Sequence, residues 1–291
     1  MTFEVLAQSI IFGIFIGALY GLGSVGFSFI FGVMKILNIA HGELLMLGGY
    51  VTLYLFSFYK IDPFLSLPLV GVILFVIGAI FYKVLFSHLV KFSEDLRIDT
   101  SLLVAFGLIL MLSQTAVLSF TADERGVTPS YAGSGVEIFN LQFPYVRLGG
   151  LVVAVVVIFG LHLFLHRTYF GKCIRAAAQN WESATLMGIN IDRVYLVSFA
   201  LASALAGVAG GMVVLNYSIS PAIGLEWVLK ALIVTVLAGV GSIGGAFVAG
   251  VMLGVVEAVS AIFLGPYYLV VGLAIFILVL FMKPQGLFGR R

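Results

Sequence analysis

Apolar residues in this chain run together instead of alternating with polar ones. Stretches at about 7–31, 36–58, 63–86, 100–120, 148–165, 194–217, 227–240, 246–264 and 267–282 are almost uninterrupted, and polar residues gather in the connections between them. A run of roughly 20 apolar residues, wound as a helix, crosses a hydrocarbon core of about 30 Å with every backbone group bonded internally. The pattern predicts an all-α fold, a polytopic transmembrane helix bundle of about nine spans. It would form one membrane domain over residues 1–291, since no connection is long enough to fold by itself.

Composition agrees with this reading. The chain is 62% hydrophobic and 10% charged, where a soluble domain carries about a quarter charged residues. Residues 1–9 hold no Lys or Arg, and the first run lacks a small-x-small cleavage site, so it is expected to be a retained helix and not a signal peptide. A net charge of +2, with basic residues scattered between apolar runs, excludes a nucleic-acid stripe. Their distribution predicts an orientation. Lys35, Lys83, Lys91, Arg97, Arg167, Lys172, Arg175, Arg193, Lys283, Arg290 and Arg291 fall on one side, and Lys60, Arg125, Arg147 and Lys230 on the other. That bias, roughly eleven to four, places Met1 outside and Arg291 in the cytoplasm, and requires an odd number of spans.

Two connections are long enough to have roles of their own. The outer one, 121–146, mixes charges, glycines and prolines and is expected to be irregular. It either caps a pathway or merely connects. The inner one, about 167–193, is rich in Ala, Gln, Glu, Leu and Met and predicts a short helix ended by Gly188. Such a helix is a docking element or an amphipathic tether.

Many of the 34 glycines fall at helical spacing. Gly13, Gly17 and Gly21, and later Gly250 and Gly254, suit close helix packing where lipid gives helices no hydrophobic drive to associate. The cluster Gly239, Gly241, Gly244 and Gly245 is too dense for a continuous helix and predicts a break or re-entrant turn. Glycine-rich halves also suggest an inverted repeat.

Polar side chains at membrane depth are costly and so become candidates for function. Asn38, His41 and Glu43 lie early in the second span, where Gly42 is expected to loosen the helix; they either line or gate a pathway or bond between helices. Glu257 and Gln114 are expected to brace helix contacts as intramembrane polar groups. Chemistry is otherwise sparse. The single Cys173 excludes an internal disulfide, and His162 and His166 lack a neighbouring carboxylate for a metal. No glycine-rich loop leads into Lys-Ser or Lys-Thr, so any ATP is hydrolysed on another chain. No constellation suggests an enzyme.

The stretches Gly17-Ala18-Leu19-Tyr20-Gly21-Leu22, Phe31-Gly32-Val33-Met34, Asn38-Ile39-Ala40-His41-Gly42-Glu43 and Gly48-Gly49-Tyr50 resemble the amino-terminal signature of branched-chain amino-acid ABC transporter permeases of the LivH type. The segments 206–210 and 239–246 and the tail Lys283-Pro284-Gln285-Gly286-Leu287-Phe288-Gly289 extend the likeness over nearly the whole chain. The resemblance implies a second homologous permease subunit, two ATPase subunits carrying ATP and Mg, an extracytoplasmic solute-binding protein, and Leu, Ile and Val as cargo. It implies no cofactor on this chain. The inner loop resembles the coupling motif of ABC importers, through Arg175, Gln179, Glu182, Ala184 and Gly188, with Ser183 displacing the motif's second Ala. Urea and short-amide permeases share much of this pattern. An ion-coupled secondary transporter would also use broken helices, but would be expected to carry more ionisable groups at depth.

Overall fold

The structure, a computed structural model, describes residues 3–289. Met1 and the basic pair Arg290 and Arg291 lie outside the described residues. In chain order the α-helices are α1 (Phe3–Met34), α2 (His41–Tyr59), α3 (Pro63–Phe81), α4 (Glu94–Phe120), α5 (Tyr145–Arg167), α6 (Tyr169–Gln179), α7 (Trp181–Leu186), α8 (Ile191–Asn216), α9 (Ile223–Ala238), α10 (Ile243–Leu264) and α11 (Tyr268–Met282). A π-helical turn, Tyr82–Phe86, prolongs α3.

The architecture is the expected all-α membrane bundle, with fewer long apolar stretches than the nine spans expected, so that count is not confirmed. Six stretches of the described residues are long and apolar enough to cross a membrane, counting α10 and α11 as one stretch of 40 residues. With 16 and 15 residues, α9 and α11 fall short of the roughly 20 that a full crossing needs. In α2, Glu43 and the glycines dilute the apolar run. The 40-residue stretch is itself a hairpin: Gly265 has φ +52, and Gly272 of α11 packs back against Glu257 and Leu253 of α10.

Helix α8 forms the centre. Of its most apolar window 83% is buried, against 22% for α5 and 28% for α3 and α4, which keep apolar faces outward. Small residues allow this. Gly207 and Gly210 of α8 meet Gly48 and the backbone of Leu45 on α2, with no space left for a side chain. The same device joins α1 to α10: a Cβ on Gly17 would lie 2.6 Å from Val251 Cα, and Gly250 and Gly254 face Gly21 and Gly17.

Between α1 and α2 the chain is not helical. Residues 35–40 leave α1 at Lys35 (φ +53), and Ile36, Asn38 and Ala40 are all buried. His41 reaches Gly23 and touches Gly26, eleven and eight residues back from the end of α1. At about 1.5 Å per residue the chain has climbed roughly 12–16 Å back into the bundle before α2 starts. This is the re-entrant segment. Gly42 lies in the first turn of α2, where its missing side chain admits the Gly224 carbonyl of α9, so it serves close approach and does not loosen the helix.

The connection 121–146 is more ordered than its composition predicts. Strands β1 (Gly135–Ile138) and β2 (Leu141–Pro144) form an antiparallel hairpin, turned by Phe139 and Asn140 with φ +52 and +60. Two successive positive φ values match the twist of paired strands, and Asn tolerates them. Gln8 of α1 clamps β2 through both backbone groups of Gln142. Tyr131 donates to Asp62, which also caps α3. Burial and then that bond hold the Tyr131 hydroxyl well above its ordinary pKa, so it stays a donor.

Candidate functional site

Two polar clusters are buried in the bundle. The first surrounds the start of α2. His41 Nε2 lies 3.0 Å from the Gly23 carbonyl and, facing an acceptor, carries the proton. That leaves Nδ1 as an acceptor with no partner. Among the described residues neither side-chain polar atom of Asn38 has a partner, and Glu43 Oε2 has none. All three residues are at most 3% exposed. Gly224 at the start of α9 cradles the carboxyl: a Cβ there would lie 2.5 Å from Glu43 Oε1. Unpaired polar groups at such depth are rare and expensive.

The second cluster is fully paired. Lys230 of α9 forms a salt bridge with Glu257 of α10, with side chains 11% and 5% exposed. Tyr20 of α1 donates to the other carboxyl oxygen at 3.0 Å. The Lys230 ammonium lies 5.1 Å from the centre of the Tyr20 ring, and Trp227 packs edge-on to that ring at 5.5 Å. Three helices therefore meet on one carboxylate. Lys230, assigned above to the outer side, is an interior residue. Gln114, expected to brace the interior as Glu257 does, lies on an exposed face of α4 beside Met111 and Leu118.

At one end of the bundle the connection 167–193 folds as two helices instead of one. Thr168 caps α6 through Gly171, Asn180 interrupts the helix and caps α7 through Ser183, and Asn190 caps α8 through Arg193. Gly188 follows α7 with φ +82 and open space about it. Arg175, Gln179 and Glu182 are exposed, Ala184 is buried, and Leu186 and Met187 project with more than four-fifths of their surface free. Glu182 thus stands beside an exposed apolar pair.

At the same end α9 stops at Ala238 and α10 begins at Ile243. Gly239 and Gly241 have φ +93 and +84, Ser242 caps α10 through Gly245, and Gly244 meets open space. The carboxy-terminal tail closes this turn: the N–H groups of Leu287 and Phe288 donate to the carbonyls of Leu237 and Ala238, at 2.8 and 2.9 Å. Gly239 also packs against Gln285 and Gly289 with no space for a Cβ.

Residues 9–280 match the family described as branched-chain amino acid transport system / permease component. The chain belongs to that family. This permease is 30% identical to the high-affinity branched-chain amino acid transport system permease protein BraD of Pseudomonas aeruginosa, over 97% of its own length and 95% of that protein's. It is 31% identical to LivH of Salmonella typhimurium over the same shares of both chains. To a probable LivH of Methanocaldococcus jannaschii it is 30% identical, over 87% of its length and 82% of that protein's. No solved structure matches it.

Sequence reasoning missed three working residues of the permease. Lys230 and Tyr20 were hidden because nothing in a linear pattern pairs positions on α1, α9 and α10. Arg97 counted as a loop charge, yet it is 2% exposed and donates to the carbonyls of Met34, Val90 and Phe92, capping the end of α1. A signal existed: Met34 precedes a non-helical stretch, and helix ends need donors.

Proposed function

We propose that this permease is the membrane-spanning subunit of an ATP-driven importer for branched-chain amino acids in the cytoplasmic membrane. The observation that carries the reading is likeness over almost the full length to permeases named for that cargo. It works with a second homologous permease, two ATPase subunits that hold ATP and Mg, and an extracytoplasmic solute-binding protein. The ends of α6 and α7 face the cytoplasm, where the exposed Glu182, Leu186 and Met187 meet an ATPase subunit and pass its closure to α8. Met1 is outside and Arg291 inside.

The passage draws on residues 38–43. The cargo is a zwitterion, and its polar ends need weak, reversible partners but no deep charged trap. Asn38, neutral His41 through Nδ1, and Glu43 carry hydrogen-bonding capacity that no described residue uses, which supports their contact with cargo during passage. Irregular backbone at this depth is tolerated where protein or a water-filled path surrounds it.

The test is copurification with an ATPase, followed by uptake of labelled leucine in vesicles supplied with the associated binding protein. Saturable, ATP-dependent leucine uptake is expected. Uptake of urea or short amides alone would overturn the cargo, and ion-driven uptake without ATP would overturn the class. In a Cys173→Ala background, Ser134→Cys should react from outside and Ser183→Cys only in opened membranes. Gly188→Trp should leave the protein in the membrane and uncouple ATP hydrolysis from uptake.

A further inference from the structure

A cleft of about 590 Å³ opens at the end of the bundle that carries α6, between the ends of α1 and α5, the face of α6 and the α9–α10 turn. Its lining has a definite chemistry. Lys35, Arg175, His162 and His166 converge on it, and no Asp or Glu is among the described residues that line it. Neither Lys35 nor Arg175 has a carboxylate within salt-bridge distance among the described residues. Ile243 and Gly244, the first residues of α10, also line the cleft and add the positive end of a helix. The floor is apolar, formed by the buried Phe29, Val33 and Ile174, and the exposed Phe288 adds to the lining.

Lys35 is held there against its own backbone preference. It follows the last residue of α1 with φ +53, a left-handed conformation that Gly or Asn adopts more easily. Its N–H closes on the Phe31 carbonyl at 3.0 Å, so the geometry is fixed by the helix end. Lys35 lines the cleft with its ammonium 5.8 Å from the centre of the Phe31 ring, and no carboxylate among the described residues neutralises it or Arg175, which leaves the cleft with uncompensated positive charge suited to an anion.

We propose that this cleft binds a phosphate-bearing anion, with Lys35 and Arg175 as its principal ligands and the two imidazoles beside them. Arg offers a planar fork that fits two phosphate oxygens, and Lys adds a point charge. The apolar floor beside the positive charges suits an amphiphile, so the source matched by both halves of the cleft is the headgroup of an anionic phospholipid. A soluble phosphate would use the rim alone.

The experiment is a native mass-spectrometric titration of the full chain in detergent with phosphatidylglycerol, phosphatidylcholine, and inorganic phosphate or glycerol phosphate. Phosphatidylglycerol should bind at least about tenfold more tightly than phosphatidylcholine and weaken as salt rises. Lys35→Asn/Arg175→Gln should lose about tenfold or more of that affinity, whereas Lys83→Gln, outside the cleft, should not. Because Asn tolerates the left-handed backbone, Lys35→Asn removes the charge without adding strain, and an unchanged melting temperature would verify that the fold is intact. Equal binding of glycerol phosphate and phosphatidylglycerol, both lost in the double variant, would support the phosphate site and assign it to a soluble anion. Equal binding of the two lipids with no binding of phosphate, or unchanged retention in the double variant, would overturn the proposal.

Discussion

The two polar clusters of this permease share a bundle and a helix, α9, but are satisfied to opposite degrees. Around Glu257 the charges are matched: a lysine from α9, a tyrosine from α1 and the carboxylate from α10 use one another up. Around Glu43 an amide, an imidazole nitrogen and a carboxyl oxygen have no partner, although burial there is equally deep. A cluster whose polar groups are all paired resists separation of the helices that carry them. One that is incomplete gains from any state that brings in water, cargo or another group. The interior thus divides into a part whose polar groups are satisfied and a part whose polar groups are not.

Breaking the paired cluster should have the largest effect. Lys230→Met leaves a buried carboxylate with only a tyrosine and is expected to cost about 3–5 kcal/mol, whereas Lys230→Met/Glu257→Met should recover most of it. Thermal melts in detergent measure both, and an unchanged melt for the single variant would show that the pair does not hold α9 to α10. Next come the glycines around Glu43. Gly42→Ala and Gly224→Ala should each cost about 1–3 kcal/mol through overpacking. Only Gly224→Ala should be relieved by Glu43→Ala, because its obstacle is a side chain while that of Gly42 is backbone. Equal rescue of both would place the strain elsewhere.

Tyr20→Phe is a perturbation of similar size. It removes one hydrogen bond to a charged acceptor and should cost about 1.5–3 kcal/mol in the background with Lys230 intact, and much less once Glu257 is replaced. Smallest in stability is Asn38→Leu, which deletes two unpartnered polar atoms at similar volume and should change stability by no more than about 1 kcal/mol, in either direction. Its effect belongs to transport: leucine uptake per assembled complex should fall. Strong destabilisation would show that Asn38 is an ordinary packing residue, and unchanged uptake would remove it from the passage.

The unbroken apolar runs, the scarcity of charge and the small-residue spacing settled the all-α membrane class, because each is a local consequence of placing a chain in lipid. The family likeness also lay in local motifs. Helix lengths and pairings were less legible. The apolar run at 36–58 hid a non-helical stretch, since buried extended residues are as hydrophobic as helical ones. The hairpin at 135–144 was masked by polar neighbours, although Phe139-Asn140 could have marked its turn. Glu257 and residues 38–43 stood out as polar groups in apolar surroundings, a one-dimensional signal. What surrounds them did not, because partnership is a property of distance in space. That Glu257 meets Lys230 and Tyr20, that Gln114 points outward, and that Asn38 meets no partner depends on how α1, α9 and α10 pack. Sequence by itself determined the solvent, the helices and the polar residues at depth; only tertiary packing decided which of those residues are paired, because a hydrogen bond joins positions that the chain keeps more than two hundred residues apart.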